Sequence, residues 1–330
     1  MRVLVTGGAG FIGSSFVRYI VNTTDWEVLV YDKLTYAGRL ENLHDVIDRI
    51  GFMRGDIADE EQFGRVLTEF EPDVVVNFAA ETHVDRSINE PAPFMRTNII
   101  GVFTILEAIR KRIDQIVLLH VSTDEVYGDL WNTGKEATES DPLNPSSPYS
   151  ASKASGDLLI KAYGRTYGLK YRIVRPCNNY GPYQHVEKLI PRTIIRILHG
   201  KPPVIYGDGS QIRDWLYVED TARAIHVVLE KGVDGEIYNV CGGMASTVKD
   251  IVVNILESMG KPRDYLVYGK SRPGEDRRYA MKCDKIRNLG WAPHVTLKEG
   301  LKITVKWYIE NRWWWRPLLD KRYVLADHPW

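Results

Sequence analysis

The stretch TGGAGFIG at Thr6 to Gly13 constrains this chain most, because of what stands on either side of it. Val3 to Val5 before it form an apolar run of strand type, and Ile12 to Val21 after it carry apolar side chains at helical spacing. A glycine-rich turn from strand to helix lets the backbone approach a pyrophosphate, which then rests on the helix N-terminus. Gly8, Gly10 and Gly13 satisfy G-x-G-x-x-G, while Gly7, Gly10 and Gly13 satisfy G-x-x-G-x-x-G, and sequence alone leaves the register open. Asp32 ends the next apolar run, nineteen residues past Gly13. A carboxylate there accepts from an adenosine ribose and repels a 2′-phosphate. NAD is therefore expected rather than NADP.

Similar apolar runs at Glu27 to Tyr31, Asp73 to Asn77, Ile116 to Val121 and Tyr171 to Val174 alternate with helical patterns at Glu60 to Phe70, Thr97 to Arg112 and Tyr149 to Tyr167. This rhythm predicts an α/β fold, a Rossmann-like doubly wound parallel sheet. After Pro176 the sequence turns to Gly, Pro and Asn clusters, which predicts a smaller C-terminal lobe. Residues 1–176 are read as the NAD-binding domain and 177–330 mainly as that second lobe. A return of the chain to the first lobe is expected at about 216–241, through Tyr217 to Glu230 and Tyr238 to Val240. Ligands of such sheets lie beyond the strand C-termini. That places Asp56 and Ile57, ending the third strand, and Phe78 to Ala80, ending the fourth, at the cofactor.

Lys plus Arg and Asp plus Glu both number 43, so no net field attracts a polyanion and a general nucleic-acid binder is disfavoured. The three cysteines, Cys177, Cys241 and Cys283, show no CxxC or Cys/His spacing, so neither a disulfide nor a metal site is expected, and a reducing cytoplasm fits. No window approaches 18 uninterrupted apolar residues, so no membrane association is expected.

Tyr149 and Lys153, in YSASK, share a helix face at i, i+4 spacing. An ammonium near a phenol favours phenolate, so Lys153 is expected to lower the tyrosine's pKa and let it deprotonate a sugar hydroxyl as hydride leaves for nicotinamide. STDEVYG, Ser122 to Gly128, starts where the fifth strand ends and faces the same crevice with Thr123, Asp124 and Glu125. Hydride transfer and return need no such carboxyl pair. Oxidation of a hexose at C4 acidifies C5–H, so a base there and an acid at the C6 hydroxyl would eliminate water. Hydride return to C6 then gives a 4-keto-6-deoxy sugar. One carboxyl must stay protonated beside an ionised one, which burial and like charge enforce.

These segments, with FAAETHVDRSI from Phe78, NNYGPYQHVEKLIPR from Asn178, IYGDGSQIRDWLYVED from Ile205 and RPGEDRRYAMKCDKI from Arg272, resemble the nucleotide-sugar branch of the extended short-chain dehydrogenases/reductases, and within it the dTDP-glucose 4,6-dehydratases. The resemblance implies Tyr149 as the base for C4 oxidation with Lys153 and Thr123 in support, Asp124 as the acid and Glu125 as the C5 base. It implies a cofactor cleft lined by Gly7, Gly10, Phe11, Ile12, Gly13, Asp32, Lys33, Leu34, Thr35, Asp56, Ile57, Phe78, Ala79, Ala80, Thr82, Thr97, Tyr149, Lys153 and Asn178. Thr82, Thr123, Asn179, Lys188, Leu189, Val204, Ile205, Tyr206, Arg213, Asn239, Arg272 and Asp276 would hold dTDP-glucose, with Arg213 and Arg272 suited to its diphosphate. Glu275 departs from the histidine of many relatives and sets an anion beside the nucleotide pocket. The same resemblance implies 177–330 mainly as the sugar-nucleotide, substrate-binding lobe. A homodimer built from two helices of each subunit is also implied. Two other readings are a nucleotide-sugar 4-epimerase, which has no need of the carboxyl pair, and a non-catalytic dinucleotide sensor, which would need neither Tyr149 nor Lys153. The tail, with Trp313 to Trp315 and Trp330, is read as lobe packing, with aromatic anchoring at a partner surface as the alternative.

Overall fold

The computed structural model describes residues 1–112, 115–271, 273–319 and 324–326. Seven strands form one parallel sheet: β1 (Arg2–Thr6), β2 (Glu27–Asp32), β3 (Gly51–Arg54), β4 (Val74–Asn77), β5 (Val117–Val121), β6 (Tyr171–Pro176) and β7 (Glu236–Val240). Their order is β7-β6-β5-β4-β1-β2-β3. The order reverses between β1 and β4, and a crevice opens there beyond the strand ends. β7 pairs with β6, so the chain does return to the first sheet at 236–240.

The strands are apolar throughout because both faces are covered. Val3 and Val5 join a core that includes Phe16, Val17 and Ile225, whereas Leu4 between them joins the opposite core with Phe63, Ile105 and Ile160. The flanking helices are α1 (Phe11–Thr23), α2 (Glu60–Phe70), α3 (Val102–Arg110), α4 (Pro148–Tyr167) and α5 (Val218–Lys231). Ser147 and Ser150 form a reciprocal capping box at the start of α4, with Pro148 in the first turn. Gly168 closes the helix in a left-handed conformation at φ 74°.

Three expectations shift in detail. Asp56 and Ile57 lie just past β3 rather than in it. The helix expected from Thr97 begins as wider π turns over Arg96–Gly101. There Asn98 turns inward, accepting from Glu81 N and donating to Glu81 O and Ser152 Oγ. Such bulges recur where a helix must turn a side chain toward a site. The cysteine reading is corrected outright: Cys241 and Cys283 form a disulfide, their Cα atoms 6.1 Å apart. The fold brings the end of β7 onto the turn before Asp284, although 42 residues separate the pair.

The second lobe has its own core, with Ile194, Trp215, Ile251, Leu301 and Tyr308. Trp314 and Trp315 are buried in it, as lobe packing requires, while Trp313 is exposed and Trp330 lies outside the described residues. Trp314 also ties the lobes together, its Nε1 donating to Asn42 Oδ1 at 2.7 Å while Asn42 Nδ2 donates to Ala9 O.

Candidate active site

Two cavities meet in the crevice. The first, about 280 Å³, lies over the ends of β1 and β4. Every residue expected at the cofactor lines it except Leu34. Leu34 is corrected: it stands at φ 56°, its N–H bound to Asp32 Oδ1, and its side chain packs into the core beneath. The glycine register is settled by contact. Gly7 has φ +67°, and a Cβ there would lie 2.4 Å from Ala79 N, while one on Gly13 would lie 2.4 Å from Gly7 O. Gly7, Gly10 and Gly13 line the cavity, whereas Gly8 faces the Val30 side chain. α1 begins at Gly10 with no side-chain cap and no acidic residue in its first turn. Its N–H groups and positive dipole end are thus left facing the cleft, the arrangement that suits a pyrophosphate. Asp32 accepts from Ala9 N at 3.0 Å and is fixed at the cleft's far side. Glycine cradle, bare helix end and carboxylate together fit a dinucleotide lacking a 2′-phosphate.

The second cavity, about 460 Å³, lies toward the second lobe. Lys188, Leu189, Val204, Tyr206, Arg213 and Asp276 line it, while Thr82, Thr123 and Asn179 line the first cavity instead. Glu125, Asn178 and Lys188 belong to both and mark the join. Two expected substrate residues are corrected. Ile205 is fully buried in the second-lobe core, since strand neighbours of Val204 and Tyr206 point the other way. Asn239 is spent inside the protein: its Oδ1 accepts from Tyr127, and its Nδ2 donates to Ala137 O and Lys282 O. Arg272 lies outside the described residues.

At the end of β5 a short 3₁₀ turn, Asp124–Tyr127, presents the carboxyl pair. Thr123 Oγ1 accepts from Glu125 N and donates to Asp124 Oδ1, 3.2 Å away, and is hydrogen-bonded to the Tyr149 phenol. Burial, and then the charge of Glu125, raises the pKa of Asp124 to about 8. Asp124 can thus donate a proton at neutral pH, beside the Glu125 carboxyl. Tyr279 donates to Asp276 Oδ2 and approaches Glu125 Oε2 to 3.5 Å.

Tyr149 departs from expectation. Burial first, and the Glu125 charge second, push its pKa up rather than down. Lys153 reaches past it to donate to Val121 O at 2.7 Å, with His120 Nε2 3.4 Å away. Burial lowers Lys153 to about 8, so its ammonium still predominates at pH 7. Beneath lies a buried polar layer that motif reading missed. His120, held neutral by burial, contacts Asn77 Nδ2 at 3.0 Å, and Asp157 accepts from Arg175, which also donates to the Tyr127 hydroxyl. Asp157 repeats the four-residue step of Tyr149 and Lys153 and could have been found by it. Nothing in the spacing marks Tyr279.

Residues 4–304 match the family model described as GDP-mannose 4,6 dehydratase. The chain is 48% identical to the dTDP-glucose 4,6-dehydratase of Neisseria meningitidis serogroup B, over 98% of both chains. It superposes with a TM-score of 0.93 on the dTDP-glucose 4,6-dehydratase of Streptomyces venezuelae, solved with NAD bound, at 46% identity over 97% of this chain and 100% of that one. A UDP-glucose 4-epimerase of Thermotoga maritima shares the fold with a TM-score of 0.88, at 35% identity over 94% of this chain and 100% of that one. With matches of this extent, on a crevice that sets a carboxyl pair beside a dinucleotide cleft, the chain belongs to the dTDP-glucose 4,6-dehydratases, within the wider GDP-mannose 4,6 dehydratase family.

Proposed function

We propose that this chain converts dTDP-glucose to dTDP-4-keto-6-deoxyglucose as an NAD-dependent hydro-lyase. One observation carries the reading: Asp124, whose pKa burial raises to about 8, stands beside Glu125, which lines both cavities where they join. Residues 1–176, with the returning segment at 216–241 completing their sheet, would form the dinucleotide-binding lobe, and the rest of 177–330 would mainly hold the sugar nucleotide. Gly7, Gly10, Gly13 and Asp32 would hold NAD, which supplies an acceptor for the C4 hydride and later gives that hydride to C6. Tyr149 takes the C4 hydroxyl proton as its phenolate, a form that the positive charge of a bound oxidised dinucleotide and the Lys153 ammonium on the same helix face would favour against the burial that raises its pKa, with Thr123 hydrogen-bonded to its oxygen. Once C4 is a ketone, Glu125 removes the C5 proton as Asp124 protonates the C6 oxygen, and water leaves. Glu125 then protonates C5 with a proton that has exchanged with solvent.

Incubation of the NAD-loaded protein with dTDP-glucose should give a product lighter by one water, with a methyl group at C6 and a carbonyl at C4 by NMR. An inverted C4 hydroxyl with C6 intact would make it an epimerase instead, and unchanged sugar would overturn both. Asp32→Ser is expected to weaken NAD binding about tenfold and to narrow the gap to NADP, since one charge-assisted pair is lost and a repulsive carboxylate removed. Equilibrium titration with both dinucleotides checks this, and an unchanged NAD/NADP ratio would remove Asp32 from the ribose.

The reading includes a homodimer. Ile100 and Phe103 on the helix around α3, and Leu158 on α4 packed against it, are exposed at 50%, 43% and 55%. An apolar surface of this kind suits a second copy, and a monomeric mass in solution would contradict it. We place the protein in the cytoplasm, where the buried Cys241–Cys283 bond would be shielded from bulk thiols. Among the described residues one helical stretch, Ala92–Arg110, is long and apolar enough to cross a bilayer, and half of it is buried within the fold.

A further inference from the structure

Three ionisable side chains under the Tyr149–Lys153 face have no part in the proposed reaction. They are His120 on β5, Asp157 on α4 and Arg175 on β6, each 1% exposed or less. Their hydrogen bonds fix the state of the imidazole. Asn77 Oδ1 accepts from Thr6 Oγ1 at 2.6 Å and from Ala79 N at 3.2 Å, so the amide turns its Nδ2 hydrogens to His120 Nδ1, 3.0 Å away. Nδ1 is therefore the acceptor, and because burial holds the ring neutral its one proton stands on Nε2. That nitrogen lies 3.4 Å from Lys153 Nζ and 3.9 Å from Asp157 Oδ1.

Two hydrogen-bearing nitrogens thus face each other. An ammonium cannot donate to an N–H, whereas an amine could accept from it, so this contact and burial both push Lys153 toward its neutral form. Asp157, one helical turn on, opposes them. Its Oδ2 accepts from Arg175 Nε at 2.9 Å, which leaves Oδ1 for the side of His120 and Lys153. A carboxyl set between two cations stays ionised against burial. The effect is mutual: the Asp157 charge acts to keep the proton on Lys153, and the Lys153 charge acts to keep Asp157 ionised. The other titratable groups around this part of α4 point elsewhere. Tyr149, Asp124 and Glu125 line the cofactor cavity, as does the Cys177 thiol, which burial holds neutral. Arg175 also donates to the Tyr127 hydroxyl, and the short helix Val84–Asn89, which packs on α4, pairs its Arg86 with Glu187. The π turns bring the uncharged Asn98 to Ser152.

We propose that Asp157 is a positioning residue of the reaction: its carboxylate, through the Nε2–H of His120, is the counter-charge that keeps Lys153 an ammonium on the helix face of Tyr149. The inference rests on the dehydratase reading and extends it beyond the residues in reach of a ligand, since His120, Asp157 and Arg175 line neither cavity. With the carboxylate gone, Lys153 becomes an amine that accepts from His120, and the Tyr149 phenolate loses a positive charge that supports it.

The test uses the full-length, NAD-loaded protein, isotope-labelled at its lysine and histidine side-chain nitrogens and read by NMR. In wild type one lysine signal, identified by its loss in Lys153→Arg, is expected to titrate at about 8, and His120 to show its Nε2–H form. Asp157→Asn should move the Lys153 titration, and with it the alkaline limb of single-turnover C4 oxidation, about one pH unit lower. The asparagine leaves Arg175 buried without its partner, so a second variant, Asp157→Asn with Arg175→Met, removes the ion pair as a whole while Tyr127 keeps its bond to Asn239 Oδ1. Movement in the same direction is expected there. A merely structural role would slow the reaction at every pH and leave the Lys153 titration in place. An unmoved titration in either folded variant would overturn the inference, and so would an Nδ1–H form of His120 in wild type. The lysine signal is read without sugar turnover, so the two readings separate. A protein with the expected titrations that yields no 4-keto-6-deoxy sugar keeps the counter-charge and loses the dehydratase assignment.

Discussion

Glu125→Gln is expected to lower formation of the 4-keto-6-deoxy sugar by about 10³-fold, the range in which a positioned general base contributes. The amide is isosteric and its backbone N–H still donates to Thr123 Oγ1, so the turn at the end of β5 stays formed. The chemistry divides at this residue. Removal of the C4 hydroxyl proton belongs to Tyr149 on α4, and the C5 proton to Glu125, so the variant should form a 4-keto hexose that keeps its C6 hydroxyl. In heavy water, wild type should place deuterium at C5 and the variant should not. Full exchange at C5 in the variant would remove Glu125 from the role of base. A secondary effect runs through electrostatics: the Glu125 charge is the second cause of the raised pKa of Asp124 and of Tyr149, so its neutralisation should lower both.

Much of this architecture is legible in the chain because its signals are local. Strand runs such as Val3 to Val5 are apolar at every position, as two covered faces demand, and the Tyr149 to Lys153 spacing fixes a shared helix face whatever surrounds it. What fails is what depends on distant partners. The phenol's acidity could not be read from its helix, because Lys153 is drawn away by Val121 O, and the largest charge effect on it after burial comes from Glu125, on another element. Asn239 looks like a ligand residue until Tyr127, Ala137 and Lys282 are folded around it. Ile205 was open to correction from sequence alone, since alternation along Val204–Tyr206 sends it to the opposite face. The cysteine pair was not, because its closure depends on where residues 42 apart arrive. Leu34 is intermediate: Asp32 capturing its N–H is a local turn signal, but the inward direction of its side chain follows from the core below.

Asp124→Asn should cost about 10²- to 10³-fold in elimination and, more tellingly, change its pH dependence. The sign follows from burial. Asp124 is neutral below its raised pKa of about 8 and becomes a carboxylate above it. An acid that must give a proton to the C6 oxygen works in the lower range, so elimination in wild type should hold from neutral pH up to about 8 and then fall tenfold for each further pH unit. Lys153 also loses its proton near 8, but it serves the C4 step with Tyr149. Single-turnover rates of the two steps therefore separate the groups. In Asp124→Asn the C4 step should keep its alkaline dependence while the residual elimination becomes flat across the same range. An alkaline fall in elimination that persists in the asparagine variant, with C4 oxidation independent of pH, would assign the proton to another group. Because the carboxyl is held neutral by its surroundings and not by a hydrogen-bonded partner that must be broken, the amide replaces it without leaving a buried charge, so lost activity here reports lost proton transfer rather than lost fold.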